Sequence, residues 1–85
     1  MSTTFSDDAL NDLNYWIFEN KKVAGKICKL IDSIKRDGLM KGLGKPEKLK
    51  YEDSYSRRID DANRLIYRIE NGVLYISSCK GHYED

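Results

Sequence analysis

Glu47, Arg58, Arg64, His82 and Tyr83 are the residues of this chain whose chemistry suits proton transfer around a phosphate. Cleaving an RNA phosphodiester without a metal needs little more than such a set. A base removes the 2′-hydroxyl proton, an acid protonates the departing 5′-oxygen, and cations stabilise the charged phosphorane between them. Glu47 fits the base, either His82 or Tyr83 the acid, and Arg58 and Arg64 the cations. Each also fits a plainer role. Glu47 follows Pro46 as an exposed loop carboxylate would, His82 reads as a terminal surface residue, and Tyr83 as a packing residue on a sheet. The remaining inventory holds no Ser/His/Asp set, no acidic cluster and no Cys/His pairs at metal-ligand spacing, so neither a metal nor a cofactor is expected. Cys28 and Cys79 stand alone, which predicts reduced thiols and a cytoplasmic protein.

The arginines belong to a pattern of alternating apolar and polar residues, Tyr55–Ile59 and Asn63–Arg68, joined by the polar turn Asp60-Asp61-Ala62. Pairing Ile59 with Asn63 sets the register. Arg58 then faces Arg64, Arg57 faces Leu65, and Tyr55 faces Tyr67. Side chains alternate across a sheet, so Tyr55, Ile59, Leu65, Tyr67 and Ile69 share a core face. Arg58, Arg64 and Arg68 share the other, with Ser56 and Ile66 between them. Like charges opposed across a sheet repel, which suggests an anion as their common partner, although a solvated basic face explains the same pattern.

Around this hairpin the chain reads as α+β: two N-terminal helices packed on a mainly antiparallel, twisted sheet. Ser2–Phe5 is a weak strand candidate. Ser6 is suited to cap a helix whose first turn holds Asp7 and Asp8 and whose apolar stripe runs through Leu10, Leu13 and Ile17, broadened by Tyr15, Trp16 and Phe18. A second helix is predicted over 21–36, with Val23, Ile27, Leu30, Ile31 and Ile34 as its stripe. Both stripes are expected to be core. A Gly-rich, basic connector follows, without the spacing of a phosphate-binding P-loop. Leu49–Tyr51 is expected to start the sheet. Asn71-Gly72 predicts a tight hairpin leading into a strand over 73–79.

One small domain spanning residues 1–85 is the expectation from length, with no segment apolar enough for a membrane or a signal peptide. Net charge is only +1, but residues 21–50 carry ten Lys or Arg against three acids. Lys22, Lys26 and Lys29 on the second helix, with Lys41, Lys45, Lys48 and Lys50 in and after the connector, form a basic side suited to RNA phosphates.

Several of these segments, taken together and in order, resemble a known family. Gly44-Lys45-Pro46-Glu47, then Leu49-Lys50, Ser56-Arg57-Arg58-Ile59, Asn63-Arg64-Leu65-Ile66-Tyr67 and His82-Tyr83 are similar to the YoeB/Txe toxins of the RelE superfamily. In the helical half, Asp7-Asp8-Ala9, Tyr15-Trp16, Lys29-Leu30-Ile31 and Ile34-Lys35-Arg36 extend the likeness over almost the whole chain. The resemblance implies the toxin of a type II toxin–antitoxin pair with a microbial-ribonuclease-like fold. Such a toxin enters the ribosomal A site and cuts mRNA, leaving a 2′,3′-cyclic phosphate and a 5′-hydroxyl. By position Glu47 matches the general base, His82 the general acid, Arg64 the phosphate-stabilising arginine, Arg58 a second arginine of the site and Tyr83 the terminal tyrosine. The implied partners are a YefM/Axe-like antitoxin, the ribosome with its mRNA, operator DNA through the antitoxin complex alone, and a second copy of the chain.

Non-catalytic alternatives are gyrase inhibition, as in ParE-type members of the superfamily, and binding of antitoxin and operator only. ParE-type proteins lack the Glu/Arg/His/Tyr set. Three features depart from the family pattern. The 51–55 loop is short and lacks a glycine, Tyr55 stands where tryptophan is usual, and Glu84-Asp85 follow the His-Tyr end.

Overall fold

The computed structural model describes residues 1–81, and both helix starts read from the sequence form there. Strand β1 (Ser2–Phe5) leads into α1 (Asp7–Glu19), and α2 (Lys21–Asp37) follows after one residue. The Ser6 hydroxyl accepts from the Ala9 amide at 3.0 Å, with Asp7 and Asp8 in the first turn. Asn20 serves both helices. Its amide donates to Trp16 O at 2.8 Å, closing α1, and its side chain accepts from the Val23 amide at 3.4 Å, opening α2. The strands β2 (Glu47–Lys48), β3 (Tyr55–Arg58), β4 (Arg64–Glu70) and β5 (Val73–Ser78) complete the chain.

The five strands form one sheet in the order β1-β5-β4-β3-β2. All neighbours are antiparallel except β1, which runs parallel to β5 as strands joined through a helical layer do. The hairpin register is the one alternation predicts: Arg58 opposite Arg64, Arg57 opposite Leu65, Tyr55 opposite Tyr67. At the β4–β5 turn, Asn71 and Gly72 both take positive φ, 50° and 74°, as a tight hairpin requires. Ile27, Leu30, Ile31 and Ile34 of α2 pack with Ile59, Leu65, Tyr67, Leu74 and Ile76, so both helices cover one face of the sheet.

The first helix differs from its expected stripe. Ala9 is buried, with Leu13 and Trp16 packed against the core, while Leu10, Tyr15, Ile17 and Phe18 are exposed, Phe18 at 84%. Leu10 and Ile17 lie on one side of the helix, but hydrogen bonds decide which side faces inward. Cys79, just after β5, donates its amide to Asp12 Oδ2 at 3.0 Å and accepts from Trp16 Nε1 at 2.9 Å through its carbonyl. These bonds turn the Ala9–Asp12–Trp16 side toward the sheet and roll Leu10 and Ile17 outward. A second correction concerns the sheet edge. Leu49–Tyr51 is not a strand; the edge strand is Glu47–Lys48, and Leu49 instead closes a loop by donating to Ser54 O at 2.9 Å.

Arg57 is the residue that sequence alternation places on the core face and that charge would keep out. It is fully buried. All five of its N–H groups find acceptors: Nε to Tyr67 Oη at 3.0 Å, Nη1 to Ser33 Oγ at 2.9 Å and Leu43 O at 3.0 Å, and Nη2 to Gly38 O and Lys41 O, each at 2.6 Å. Ser33 passes the charge on by donating to Asp37 Oδ2 at 3.0 Å. Hydrogen bonds from Arg36 and Ser33 hold the Asp37 carboxyl below its usual range. The 38–44 connector is thus wrapped around a cation. It lies so close to β3 that a side chain at Gly44, where φ is 87°, would put a Cβ 2.7 Å from Leu30 Cδ2 and 3.0 Å from Arg58 O.

We predict that Arg57→Met costs more than about 3 kcal/mol, because it strands several buried acceptors at once. Arg57→Lys should fail similarly, since one ammonium cannot span that fork. Urea unfolding checks both, and a midpoint near wild type for either would remove the anchoring role. A second prediction concerns pH. Burial, with the Asp12 carboxylate nearby, pushes the Cys79 thiol up from 9.0 to about 12. A group held neutral in the fold stabilises fully below the unfolded value, and that contribution is lost as pH rises from about 9 to 12. Wild-type stability should therefore fall more steeply across that window than that of Cys79→Ala, by up to ~1.4 kcal/mol per pH unit. Parallel slopes in urea titrations would refute it.

Candidate active site

The same alternation that buries Arg57 turns Ser56, Arg58, Arg64, Ile66 and Arg68 to the face without helices. Glu47 is directly opposite Ser56 across the β2–β3 pair and so emerges on that face. Its carboxylate Oε1 lies 3.8 Å from Arg64 Nη2. Arg64 Nε donates to Ser56 Oγ at 3.0 Å. The two ends of the Glu47–Arg64 pair are unlike: the Glu47 side chain is 65% exposed and that of Arg64 only 14%. Arg64 Nη2 is shut away from solvent and makes no hydrogen bond with any of the described residues.

A buried donor left unmatched costs on the order of 1–3 kcal/mol and calls for an explanation. Glu47 does not supply one at 3.8 Å, and a pair with one exposed partner is worth roughly 0–1 kcal/mol. An oxyanion arriving on this face would gain a charge-assisted hydrogen bond from Nη2 and displace only that weak contact. Ser56, a residue with no role assigned from the sequence, holds the neighbouring Nε of that guanidinium. Its signal was present in the register, which puts it on the arginine face opposite Glu47's position.

The other two arginines of the face are engaged. Arg58 is directly opposite Arg64 in the sheet, as expected, but its Nη2 is ion-paired with Asp61 in the following turn. Arg68 donates from Nε to Glu70 Oε2 at 2.9 Å and lies over the Tyr75 ring, 4.5 Å from its centre. Four residues along a strand place it roughly 13 Å from Arg64. Repulsion along the predicted arginine line is answered by resident carboxylates from Glu47, Asp61 and Glu70.

The lysines divide. Lys48 is directly opposite Tyr55 and points to the helical side, where Nζ donates to Glu52 O at 3.1 Å and lies 3.6 Å from Asp53 Oδ1. It is removed from the Glu47 face. Lys45, at φ 50°, and Lys50 flank β2 and are exposed. Lys22 and Lys29 are exposed and Lys26 half-buried on α2, in the layer behind the sheet as seen from Arg64. His82 and Tyr83, with Glu84 and Asp85, lie outside the described residues. Gly81, which precedes them, accepts from the Arg64 amide at 3.0 Å. Among the described residues no three His, Cys, Asp or Glu side chains are grouped as a metal site requires.

The chain and its fold have counterparts among known proteins. The family model of the YoeB-like toxin of bacterial type II toxin–antitoxin systems matches residues 5–83. The toxin YoeB of Streptomyces coelicolor is 41% identical over 85 residues, covering 98% of this chain and all of that one. A YoeB dimer from Staphylococcus aureus superposes with a TM-score of 0.92 at 42% identity, over 98% of each chain. YoeB in a heterotetrameric complex with YefM, from the same organism, superposes with a TM-score of 0.90 at 44% identity, again over 98% of each. With both helices and the strands β2 to β5, which carry Glu47, Arg58 and Arg64, inside the matched residues, the chain belongs to the YoeB-like toxins of bacterial type II toxin–antitoxin systems.

Proposed function

We propose that this toxin is an endoribonuclease that cuts mRNA on the ribosome by metal-independent acid–base chemistry, and so blocks translation. The observation that carries the reading is the buried Nη2 of Arg64, without a hydrogen bond among the described residues, beside an exposed carboxylate, Glu47. In the reaction Glu47 takes the 2′-hydroxyl proton as that oxygen attacks phosphorus. The phosphorane gathers negative charge on its equatorial oxygens, which the Arg64 guanidinium stabilises. The bond to the 5′-oxygen then breaks, and that oxygen receives a proton from the acid. The products are a 2′,3′-cyclic phosphate and a 5′-hydroxyl. By the family resemblance the acid is His82, with Tyr83 beside it on the chain. Arg58 is the second cation once it leaves Asp61.

Binding to the ribosome draws on the lysines. Lys22, Lys26 and Lys29, with Lys45 and Lys50 near the site, supply the positive surface that phosphate contacts need. Lys48 is already committed to the 52–53 loop and contributes through that loop. A YefM-type antitoxin is the inferred inhibitory partner, on the strength of the similar Staphylococcus aureus complex, and a second copy of this chain is inferred from the similar dimer. The ribosomal target makes the protein cytoplasmic. No described helix is long and apolar enough to cross a membrane.

Glu47→Gln should cut at least ~10²-fold more slowly than wild type, as loss of a positioned base does. Arg64→Ala should lose about 10²–10³-fold, and His82→Gln should also be inactive. Glu47→Gln should keep its stability within about 0.5 kcal/mol, since its side chain is exposed. Mapping of mRNA ends on programmed ribosomes, with thermal melts as the folding control, decides this; wild-type cutting by the three folded variants would end the catalytic assignment. Replacing Lys22, Lys26 and Lys29 together by Gln should weaken ribosome binding and lower the slope of log affinity against log salt by about two units. An unchanged slope would move the contact surface elsewhere.

A further inference from the structure

Beyond Ser78 the chain is held by three consecutive residues, two through α1 and the third through the β3–β4 turn. Cys79 is fixed to α1 through its amide, which reaches Asp12, and its carbonyl, which takes the Trp16 indole N–H. Lys80 lies over the Tyr15 ring with Nζ 4.6 Å from its centre. Gly81 is fixed to the β3–β4 turn: its amide donates to Asn63 Oδ1 at 2.8 Å, and its carbonyl accepts from the Arg64 amide at 3.0 Å.

Asn63 is itself immobilised. Its side-chain Nδ2 donates to both carboxylate oxygens of Asp60, at 3.0 and 3.2 Å. Asp60 Oδ1 also accepts the backbone amides of Ala62 and Asn63, at 2.9 and 2.8 Å. Asp60 therefore closes the turn and clamps the Asn63 amide in the one orientation that points Oδ1 at Gly81. Backbone pairing alone would need only the Arg64–Gly81 bond. The additional side-chain lock sits on the residue before Arg64 and holds the residue before His82. A single peptide unit, about 3.8 Å between Cα atoms, separates Gly81 from His82.

We propose that Asn63, held by Asp60, is a positioning residue: it fixes Gly81 beside Arg64, and so anchors the point from which the chain continues to His82, the proposed acid. This deepens the nuclease reading and rests on it. Proton transfer to a leaving oxygen demands hydrogen-bond distance, and a displacement near 1 Å at a reacting group lowers rates by about 10²-fold. The turn, not the lysine surface, controls that distance, so the turn acts on turnover and leaves ribosome affinity alone.

The test uses the full-length chain as wild type, Asn63→Ala and Asp60→Ala. Cutting of mRNA on programmed ribosomes is measured at saturation and at half-saturation, and amide hydrogen exchange is followed at Gly81, Leu65 and Leu74. Asn63→Ala should cut roughly 10–100-fold more slowly at saturation, with the half-saturating ribosome concentration changed less than about two-fold. Gly81 should lose protection while Leu65 and Leu74 keep theirs. Asp60→Ala, which frees the Asn63 side chain but leaves its oxygen, should change turnover in the same direction by less. An Asn63→Ala protein that loses Gly81 protection yet cuts at the wild-type rate would overturn the positioning role, with the nuclease reading intact. So would a loss of protection across Leu65 and Leu74, or an effect confined to ribosome affinity. A wild-type chain that leaves ribosome-bound mRNA uncut would sink the nuclease reading, and this inference with it.

Discussion

A guanidinium with no water around it sets the geometry of this protein. Arg57 sits where an aliphatic residue would complete the sheet's inner face, and its five donors are spent on Tyr67, Ser33 and three connector carbonyls. The connector has neither helix nor strand of its own, so this cation is what gives residues 38–44 a shape. The Arg58 amide adds a bond to Gly44 O at 2.6 Å, which lays the connector's end against β3. Only then can Glu47 enter the sheet as an edge strand opposite Ser56. A core interaction on the helical side thus determines where a carboxylate stands on the other side.

The two sheet faces handle positive charge in opposite ways. On the inner face one arginine is fully satisfied by neutral oxygens, with Asp37 as a relayed counter-charge through Ser33. On the open face three arginines meet three carboxylates, and among the described residues Arg64 alone of the three has a buried donor without a hydrogen-bond acceptor. Full satisfaction makes a cation structural, because any movement would break several bonds together. Incomplete satisfaction leaves a cation something to gain from a ligand. The same side-chain type, one residue apart in sheet pairing, is therefore architectural at position 57 and open to a ligand at position 64.

Much of this was legible because alternation and turn chemistry are local rules. The hairpin register, the Ser6 cap, the Asn71-Gly72 turn and the α2 stripe all follow from neighbours within a few residues, and all form. The misreadings concern long-range partners. Leu10 and Ile17 have the spacing of a core stripe, but Asp12 and Trp16 are drawn to Cys79, more than sixty residues away, and they set the helix's rotation. Arg57 was placed on the right face by register, yet nothing nearby announced that carbonyls from a Gly-rich connector would make its burial affordable. Glu47, next to Pro46, has the local sequence of a loop carboxylate; its place in a strand depends on the same distant anchor. Ser56 and Asn63 were present in the motifs, but their roles became visible only as distances to Arg64 and Gly81.

The chain contains one tryptophan, and its indole N–H is bonded to the carbonyl of Cys79, two residues before the Gly81 lock. Indole emission responds to hydrogen bonding and to water at the ring. Trp16 is consequently a built-in optical probe at the root of the C-terminal segment, with no label to perturb a domain this small. It reports whether that root remains docked on α1 during encounters with an antitoxin or a second copy of the chain.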